Sequence, residues 1–167
     1  MQPPPDPATE CLSTWALARA VASELAGSAL VQDHCRDLFG RPLVVYLGAL
    51  PPAAGVRLPY ALVTPSEEDH GRSEVAHVVD VVLAIDAGAE ENTAEGRAID
   101  GAPGVLVVGR GCDLQALVDD VRVHFDDALP GSVQTDFDVS FDTWAAYPTQ
   151  SARLFLRFED ETAFKDL

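Results

Sequence analysis

The sequence predicts a single-domain α+β fold, a mostly antiparallel sheet of about four to five strands packed by two or three helices. Three observations predict it. The Val-rich segment 73–86 has the density of β-branched side chains that is typical of a pleated strand. A shorter extended run, residues 58–64, precedes it across a polar stretch, so the two segments form the arms of a long β-hairpin. Segments with helical spacing of apolar residues lie before and after this hairpin.

Length and composition fit one globular domain with its own core. The chain has 167 residues, of which 47% are apolar and 23% charged. Residues 1–8 are rich in proline and predict a flexible arm, residues 9–160 form the domain, and residues 161–167 are a short polar tail. The N-terminus does not resemble a secretion signal and no apolar run reaches the length of a membrane span, so we expect no membrane partner.

The charge balance is strongly acidic. The chain carries 27 Asp and Glu residues against 11 Lys and Arg residues, a formal net charge of −16. Because such a surface repels phosphate backbones, we expect no specific binding of nucleic acid. The runs of carboxylates favour a solvated acidic surface, and the alternative is an acidic face that docks a basic partner or lines a passage for DNA.

The positions of cysteine and histidine indicate neither disulfides nor a metal centre. Cys11, Cys35 and Cys112 are far apart and form no Cys-x-x-Cys pair, which suits a reducing cytoplasm. Histidines stand near other possible ligands at residues 34–35 and 70–77, but neither grouping has the spacing of a known metal site. We therefore predict no metal and no cofactor.

Two helices are predicted before the first strand. Apolar residues at steps of three and four place one stripe on a helix from about Thr9 to Ala26. A second helix begins after Ser28 as N-cap and runs to Leu38, with Gln32 turned to solvent. The stripe of the first helix comprises Leu12, Trp15, Ala18, Val21, Ala22 and Leu25.

The first strand and the hairpin follow. The compact apolar run Leu43 to Leu47 predicts a strand, and prolines and a glycine predict a loop over residues 49–57. Pro59 opens the first arm of the hairpin, where no ladder donor is lost. The hairpin loop is predicted to span Pro65 to Arg72. His77 shares a face with the valines of the second arm, so a structural histidine is favoured over a catalytic base.

The segment after the hairpin breaks the strand pattern. Residues 86–104 are predicted to be a loop or small insertion, followed by a short strand over residues 105–108. The Gly109-x-Gly111 turn that comes next resembles part of a dinucleotide-binding motif, but Leu114 stands where a third glycine belongs. A glycine turn before a helix is therefore favoured, with Asp113 as N-cap and the helix ending at Ala128.

Two amphipathic strands close the chain. Alternating apolar and polar residues predict strands over residues 137–142 and 152–158, with a turn at residues 148–150. The sequence contains no Gly-x-Ser-x-Gly elbow, and Asp119 and Asp120 are adjacent on a predicted helix, where they do not face each other. No catalytic set is predicted, and we expect that the protein is not an enzyme.

The predicted elements follow one another in a distinctive order. A helix precedes a short strand, Pro59-Tyr60 opens the next strand, the polar stretch Glu67 to Arg72 leads to the long strand Val75 to Asp86, and a helix and two strands finish the chain. This order, over residues 30–159, resembles that of the tail terminator or tail completion proteins of tailed bacteriophages and prophages.

The resemblance implies a structural role in virion assembly. Proteins of this family form rings, commonly hexameric, that cap the head-proximal end of the tail tube, end its polymerisation and mediate head–tail joining. The implied partners are further copies of the chain, the tail tube protein and the head–tail connector proteins, and the implied location is the virion tail after assembly in the host bacterial cytoplasm. The expected assembly interface is the hairpin loop, through Glu67, Glu68, Asp69, His70 and Arg72.

Two other classes of function stay open at this point. An acidic adaptor or nucleic-acid mimic would dock on a basic partner and use the negative charge directly. A small enzyme would use a site that no motif in the sequence reveals.

Overall fold

The computed structural model describes residues 14–70, 75–86, 97–99, 102–107, 110–128, 135–142 and 149–158. They form an α+β domain with helices on a five-stranded, mostly antiparallel sheet, which confirms the predicted fold class. The proline-rich arm and the polar tail lie outside the described residues. Helices α1 to α3 are Thr14–Gly27, Ala29–Phe39 and Gly111–Ala128, and strands β1 to β7 are Val44–Leu47, Tyr60–His70, Val75–Asp86, Arg97–Ile99, Ala102–Val107, Thr135–Asp142 and Thr149–Phe158.

Helix α1 uses most of the predicted apolar stripe. Leu25 and Ala18 are fully buried, and Leu17 joins them although the prediction left it out. Trp15 belongs to the predicted stripe, but it is 43% exposed and is not part of the core. It lies against Gly48, where an added Cβ would come within 2.9 Å of the indole ring and where φ is +86°. The positive φ favours glycine at position 48, and any other residue there would also have to displace the Trp15 ring.

Helix α2 begins and ends as its sequence predicts. The Ser28 side chain accepts a hydrogen bond from the Val31 amide, and Gly40, at φ 70°, ends the helix in the left-handed conformation. The prediction for Gln32 was wrong, since this side chain is buried. Its Nε2 donates to the carbonyls of Leu25, at 3.2 Å, and Leu43, at 3.4 Å, and so satisfies backbone acceptors where α1 ends and β1 is about to begin.

Replacing Ser28 with alanine tests this capping arrangement. We expect the free energy of unfolding to fall by about 1 kcal/mol, because the Val31 amide loses its acceptor at a position that is only 3% exposed. Urea unfolding monitored by circular dichroism measures the change. Ser28→Asp, which keeps a capping oxygen, should recover most of the loss, whereas equal losses for both variants would contradict a capping role.

The sheet has the strand order β1-β2-β3-β7-β6. Strand β1 is parallel to β2, and the other neighbours are antiparallel. The register places one set of side chains, including Val63, Val81 and Leu154, against α1 and α3 in the core. The alternate side chains form the opposite face, which is called the outer face below, and within the described residues no helix packs on it.

The hairpin loop is shorter than predicted. Residues 65–70 were assigned to the loop, but they belong to β2, which pairs with β3 as far as His70 opposite Val75 and contains a bulge at Ser66. The prediction failed because a polar strand at the edge of a sheet has the composition of a loop, while its pairing with a β-branched neighbour is not visible in its own sequence. The residues that connect the arms, 71–74, lie outside the described residues.

The segment between the hairpin and α3 also contains more structure than predicted. The loop assigned to residues 86–104 includes β4, which pairs with β5 in a separate two-stranded sheet. Strand β5 begins at Ala102, three residues before the predicted strand, despite Pro103 and Gly104. These two residues argue against a strand on propensity alone, and pairing with β4 overrides that preference.

Two predicted boundaries shift in the C-terminal half. Asp113 was expected to be the N-cap of α3, but the helix begins at Gly111 and the Arg110 carbonyl accepts from the Leu114 amide at 3.0 Å. Asp113 therefore lies in the first turn, where its carboxylate pairs with the Arg110 guanidinium at 2.6 Å. The prediction of a turn at residues 148–150 was wrong for Thr149 and Gln150, which belong to β7, and residue 148 lies outside the described residues. The amphipathic alternation of β7 is confirmed, with Phe155 on the outer face.

Candidate assembly surfaces

The residues expected to form the assembly interface lie in the outer half of the hairpin. Glu67 to His70 are the last residues of β2 and pair in register with Val78 to Val75 of β3. Arg72 lies outside the described residues. The interface prediction thus concerns the end of a strand rather than a free loop, and the structure brings no further element against it within the described residues.

This part of β2 has an open edge. Strand β1 pairs with β2 only as far as Val63, and beyond this point no other described strand covers that edge. The Gly48 amide donates to the Val63 carbonyl at 2.8 Å, so residue 65 faces the same edge, and Pro65 presents no N–H there. A bulge at Ser66 and three consecutive acidic residues follow. Proline, bulge and charge each discourage the addition of another strand. Protection of this edge therefore accounts for the acidic run, and no binding partner is needed to explain it.

His77 has a structural role in the same hairpin. Its side chain is 3% exposed on the core face of β3, and its Nδ1 lies 2.9 Å from the Thr14 hydroxyl of α1. The contact joins the start of the first helix to the central strand. A buried imidazole in this position orients two elements.

The outer face of the sheet carries a buried carboxylate. Asp80 lies in the middle of β3, directly opposite Thr64 of β2 and Phe155 of β7, and is 8% exposed. Its Oδ2 lies 3.3 Å from Nε of Arg153, while its Oδ1 is buried and has no hydrogen-bond partner within the described residues. Burial raises the pKa of Asp80, and the neighbouring Arg153 opposes that shift.

The other end of the outer face is aromatic. Tyr46 and Tyr60 meet edge to face with ring centroids 5.8 Å apart. Burial, with a smaller contribution from Tyr46, raises the pKa of Tyr60. The Tyr46 hydroxyl donates to the Gly55 carbonyl and accepts from the Arg57 amide at 3.2 Å, which holds the connection between β1 and β2 against the sheet.

A small cavity of about 170 Å³ lies where the hairpin, α2 and α3 meet. Arg110 forms part of its wall, with its guanidinium 4.6 Å from the centre of the Phe39 ring. The same guanidinium binds the Asp113 carboxylate and donates to the Leu38 carbonyl at 2.8 Å, so its hydrogen bonds join α2 to α3. The lining residues are Phe39, Arg41, Leu58, Pro59, Asp86 and Arg110.

Ionisable side chains also join the helices to one another. Nδ1 of His34 on α2 contacts the Asp120 carboxylate of α3, and His124 Nε2 of α3 lies 3.5 Å from the Glu24 carboxylate of α1. Burial, aided by Asp120, raises the pKa of Cys35 to about 12, so this thiol is protonated at neutral pH and is a poor nucleophile. Within the described ranges no three of these side chain types converge to hold a metal ion.

Sequence reasoning missed both Asp80 and the interhelical pairs. Asp80 interrupts a Val-rich strand, which was the one available signal, but its cross-strand neighbours had to be known before its burial could be inferred.

No helix in the described part of the chain is long and apolar enough to cross a membrane. Comparison of the chain with protein-family models and with curated proteins finds no match.

Proposed function

We propose that this chain is a structural virion protein of a phage or prophage, a tail terminator that caps the head-proximal end of the tail tube as a ring. The observation that carries the proposal is the order of elements, in which helices and a short parallel strand precede a long hairpin, and a helix and two antiparallel strands follow. This order resembles the layout of the tail terminator family. The proposal makes further copies of the chain, the tail tube protein and head–tail connector proteins its partners, and it includes no enzymatic activity.

The architecture is suited to such a ring. A closed ring of identical subunits needs two different complementary surfaces on each subunit, joined head to tail. The domain supplies two unlike surfaces, since helices pack on the core face of the sheet and no helix of the described residues packs on the outer face. The net charge of −16 also discourages adhesion of DNA, which must pass through the tail.

The same charge favours a second candidate, an acidic adaptor that docks on a basic protein. In that case, the chain would bind as a monomer and salt would weaken the complex steeply. Sedimentation of the chain with tail-tube subunits and, separately, with a basic DNA-binding protein distinguishes the two functions.

A tube-growth assay tests the proposal and the predicted interface together. Tail-tube subunits of the cognate phage should form tubes of limited length, capped at one end, when the chain is present, and longer uncapped tubes when it is absent. We expect the triple variant Glu67→Ser, Glu68→Ser and Asp69→Ser to fold normally and to lose capping, because it removes the charges of the projecting hairpin.

A matched control removes three exposed carboxylates from α3 instead, by changing Asp119, Asp126 and Asp127 to serine. This control should cap tubes as the wild type does. If the hairpin variant still caps tubes, the acidic run is not part of the interface and only protects the edge of β2. Tubes that grow without limit in the presence of the wild-type chain would refute the proposed function.

A further inference from the structure

The two edges of the five-stranded sheet are unlike surfaces. Strand β1 forms one edge and β6 forms the other. The amides of Val44 and Gly48 donate toward β2, so residues 45 and 47, which alternate with them, present their N–H and C=O groups to the opposite side of β1. No strand among the described residues pairs with β1 on that side.

The β1 edge lacks the protection that the outer half of β2 has. Its four residues, Val44–Leu47, include no charge and no proline, and all four are half-buried rather than covered. On β2, by contrast, Pro65, a bulge and an acidic run protect the open edge. An accessible apolar edge without these features is where another strand adds most readily.

The core reaches both edge strands with apolar side chains that it only partly buries. Val45 and Leu47 of β1 and Val139 of β6 pack on the margins of the core, and Phe141 of β6 is 42% exposed. The helices of the described residues pack chiefly on β1, β2, β3 and β7, which leaves Phe141 uncovered. Each edge therefore offers apolar surface on the core face of the sheet.

The register of the sheet determines how these two edges can meet. Across the strands, Val45 lies on the same row as Phe141, and Leu47 lies on the same row as Val139. Strands β1 and β6 run in opposite directions. If the sheet of one copy continues into the next along these rows, β6 and β1 form an antiparallel pair with apolar residues opposite one another.

The charges beside the two edges are complementary. The register puts Asp138 and Asp142 at outer-face positions of β6. On the same side of β1, the Arg57 amide donates to the Tyr46 hydroxyl at 3.2 Å, and Arg57 is exposed. The strand that suits the β1 edge has apolar core-facing positions and acidic outer positions, and β6 of a second copy has both.

We infer that β6 of one copy pairs with β1 of the next copy, antiparallel, with Phe141 opposite Val45 and Val139 opposite Leu47. The inference rests on the proposed function and names the contact that joins neighbouring subunits, with the strands aligned along the ring axis. Because the two edges are different surfaces, the contact is head to tail, as a closed ring requires. It also brings Phe141 under α1 of the neighbour, which packs on β1.

Two single variants test the contact by blocking one edge each. Val45→Pro removes an N–H that faces away from β2, and Phe141→Ser removes an exposed apolar side chain of β6. Each is expected to weaken self-association about tenfold or more in sedimentation velocity, and to form no rings on tail tubes in negative-stain microscopy. Val123→Ser, at a side chain of α3 that is 49% exposed, should stay within about twofold of the wild type.

A mixture of the two variants distinguishes head-to-tail pairing from pairing of like edges. Val45→Pro keeps an intact β6 edge and Phe141→Ser keeps an intact β1 edge, so the equimolar mixture should form dimers and nothing larger. Dimers of either variant alone, or a mixture that stays monomeric where the wild type associates, would overturn the contact. If Val45→Pro does not fold, hydrogen exchange of the wild type decides, since the Val45 and Leu47 amides should become protected in rings and unchanged exchange would contradict the pairing.

The outcomes separate this contact from the proposed function. Rings on tubes formed by both variants would overturn the contact and leave the function standing. Self-association that depends on both edges, without capping of tubes, would overturn the function and retain the contact. A chain that is monomeric at every concentration, alone and with tubes, would overturn both.

Discussion

Replacing Phe125 with alanine is expected to lower the free energy of unfolding by about 3–5 kcal/mol. The Phe125 side chain is 1% exposed on α3 and is among the largest fully buried groups of the core, between the helices and the sheet. Its removal leaves a cavity that the surrounding strands and helices can fill only in part. Because a domain of this size is commonly stable by about 5–15 kcal/mol, a loss of this size should be visible in urea or thermal unfolding.

An exposed residue of the same helix supplies the control for this prediction. Val123 is on the same helix but 49% exposed, so Val123→Ala should change the free energy of unfolding by no more than about 0.5 kcal/mol. Similar small effects for both variants would mean that α3 does not pack on the sheet as described. In that case, the separation of the sheet into a core face and an outer face would fail as well.

Replacing Asp80 with asparagine is expected to make the isolated subunit more stable, by about 1–2 kcal/mol at neutral pH. Asparagine keeps the shape of the side chain and removes a buried charge whose second oxygen has no donor in the described structure. The lost pairing with Arg153 offsets little of this gain, because the arginine side chain is 55% exposed. Urea unfolding at concentrations where the chain is monomeric measures the difference.

The stability difference between Asp80→Asn and the wild type should depend on pH, in a way that follows from the direction in which burial shifts the pKa of Asp80. Burial raises the pKa of Asp80 in the folded state above its unfolded value, so the folded state binds a proton more tightly. The penalty of the buried charge is therefore present above the folded-state pKa and disappears as the pH falls through it. The advantage of Asp80→Asn should shrink over the same range, and an advantage that grows on acidification would contradict the assignment.

A control for Asp80→Asn removes a carboxylate from an exposed position. Asp126 on α3 is exposed, and Asp126→Asn should alter stability by no more than about 0.5 kcal/mol.

The periodicity of apolar residues correctly predicted the elements that depend only on residues close together in the sequence. The stripe of α1, the cap of α2 and the alternation of β7 depend on side chains within a few residues of one another, and the structure has all three. The outer half of β2 and strand β4 could not be predicted in this way, because each is a strand only through pairing with its neighbour. Polar or glycine-rich sequences of this kind are indistinguishable from loops until the partner is known.

The candidate site was less predictable than the fold. The acidic run at residues 67–69 was conspicuous in the sequence, yet the open edge of β2 gives it an explanation that needs no partner. Asp80 was inconspicuous, and its significance depends on Thr64 of β2 and on Arg153 and Phe155 of β7, which lie on two other strands. A buried carboxylate without a hydrogen-bond donor can be recognised only once the register of the strands is known.

The most direct test of the proposed function is electron microscopy of cognate tail tubes assembled with this chain. We predict one ring of identical subunits at one end of each tube. Tubes that carry no ring at either end, while the chain remains free or binds as a monomer to a basic protein, would contradict the proposal.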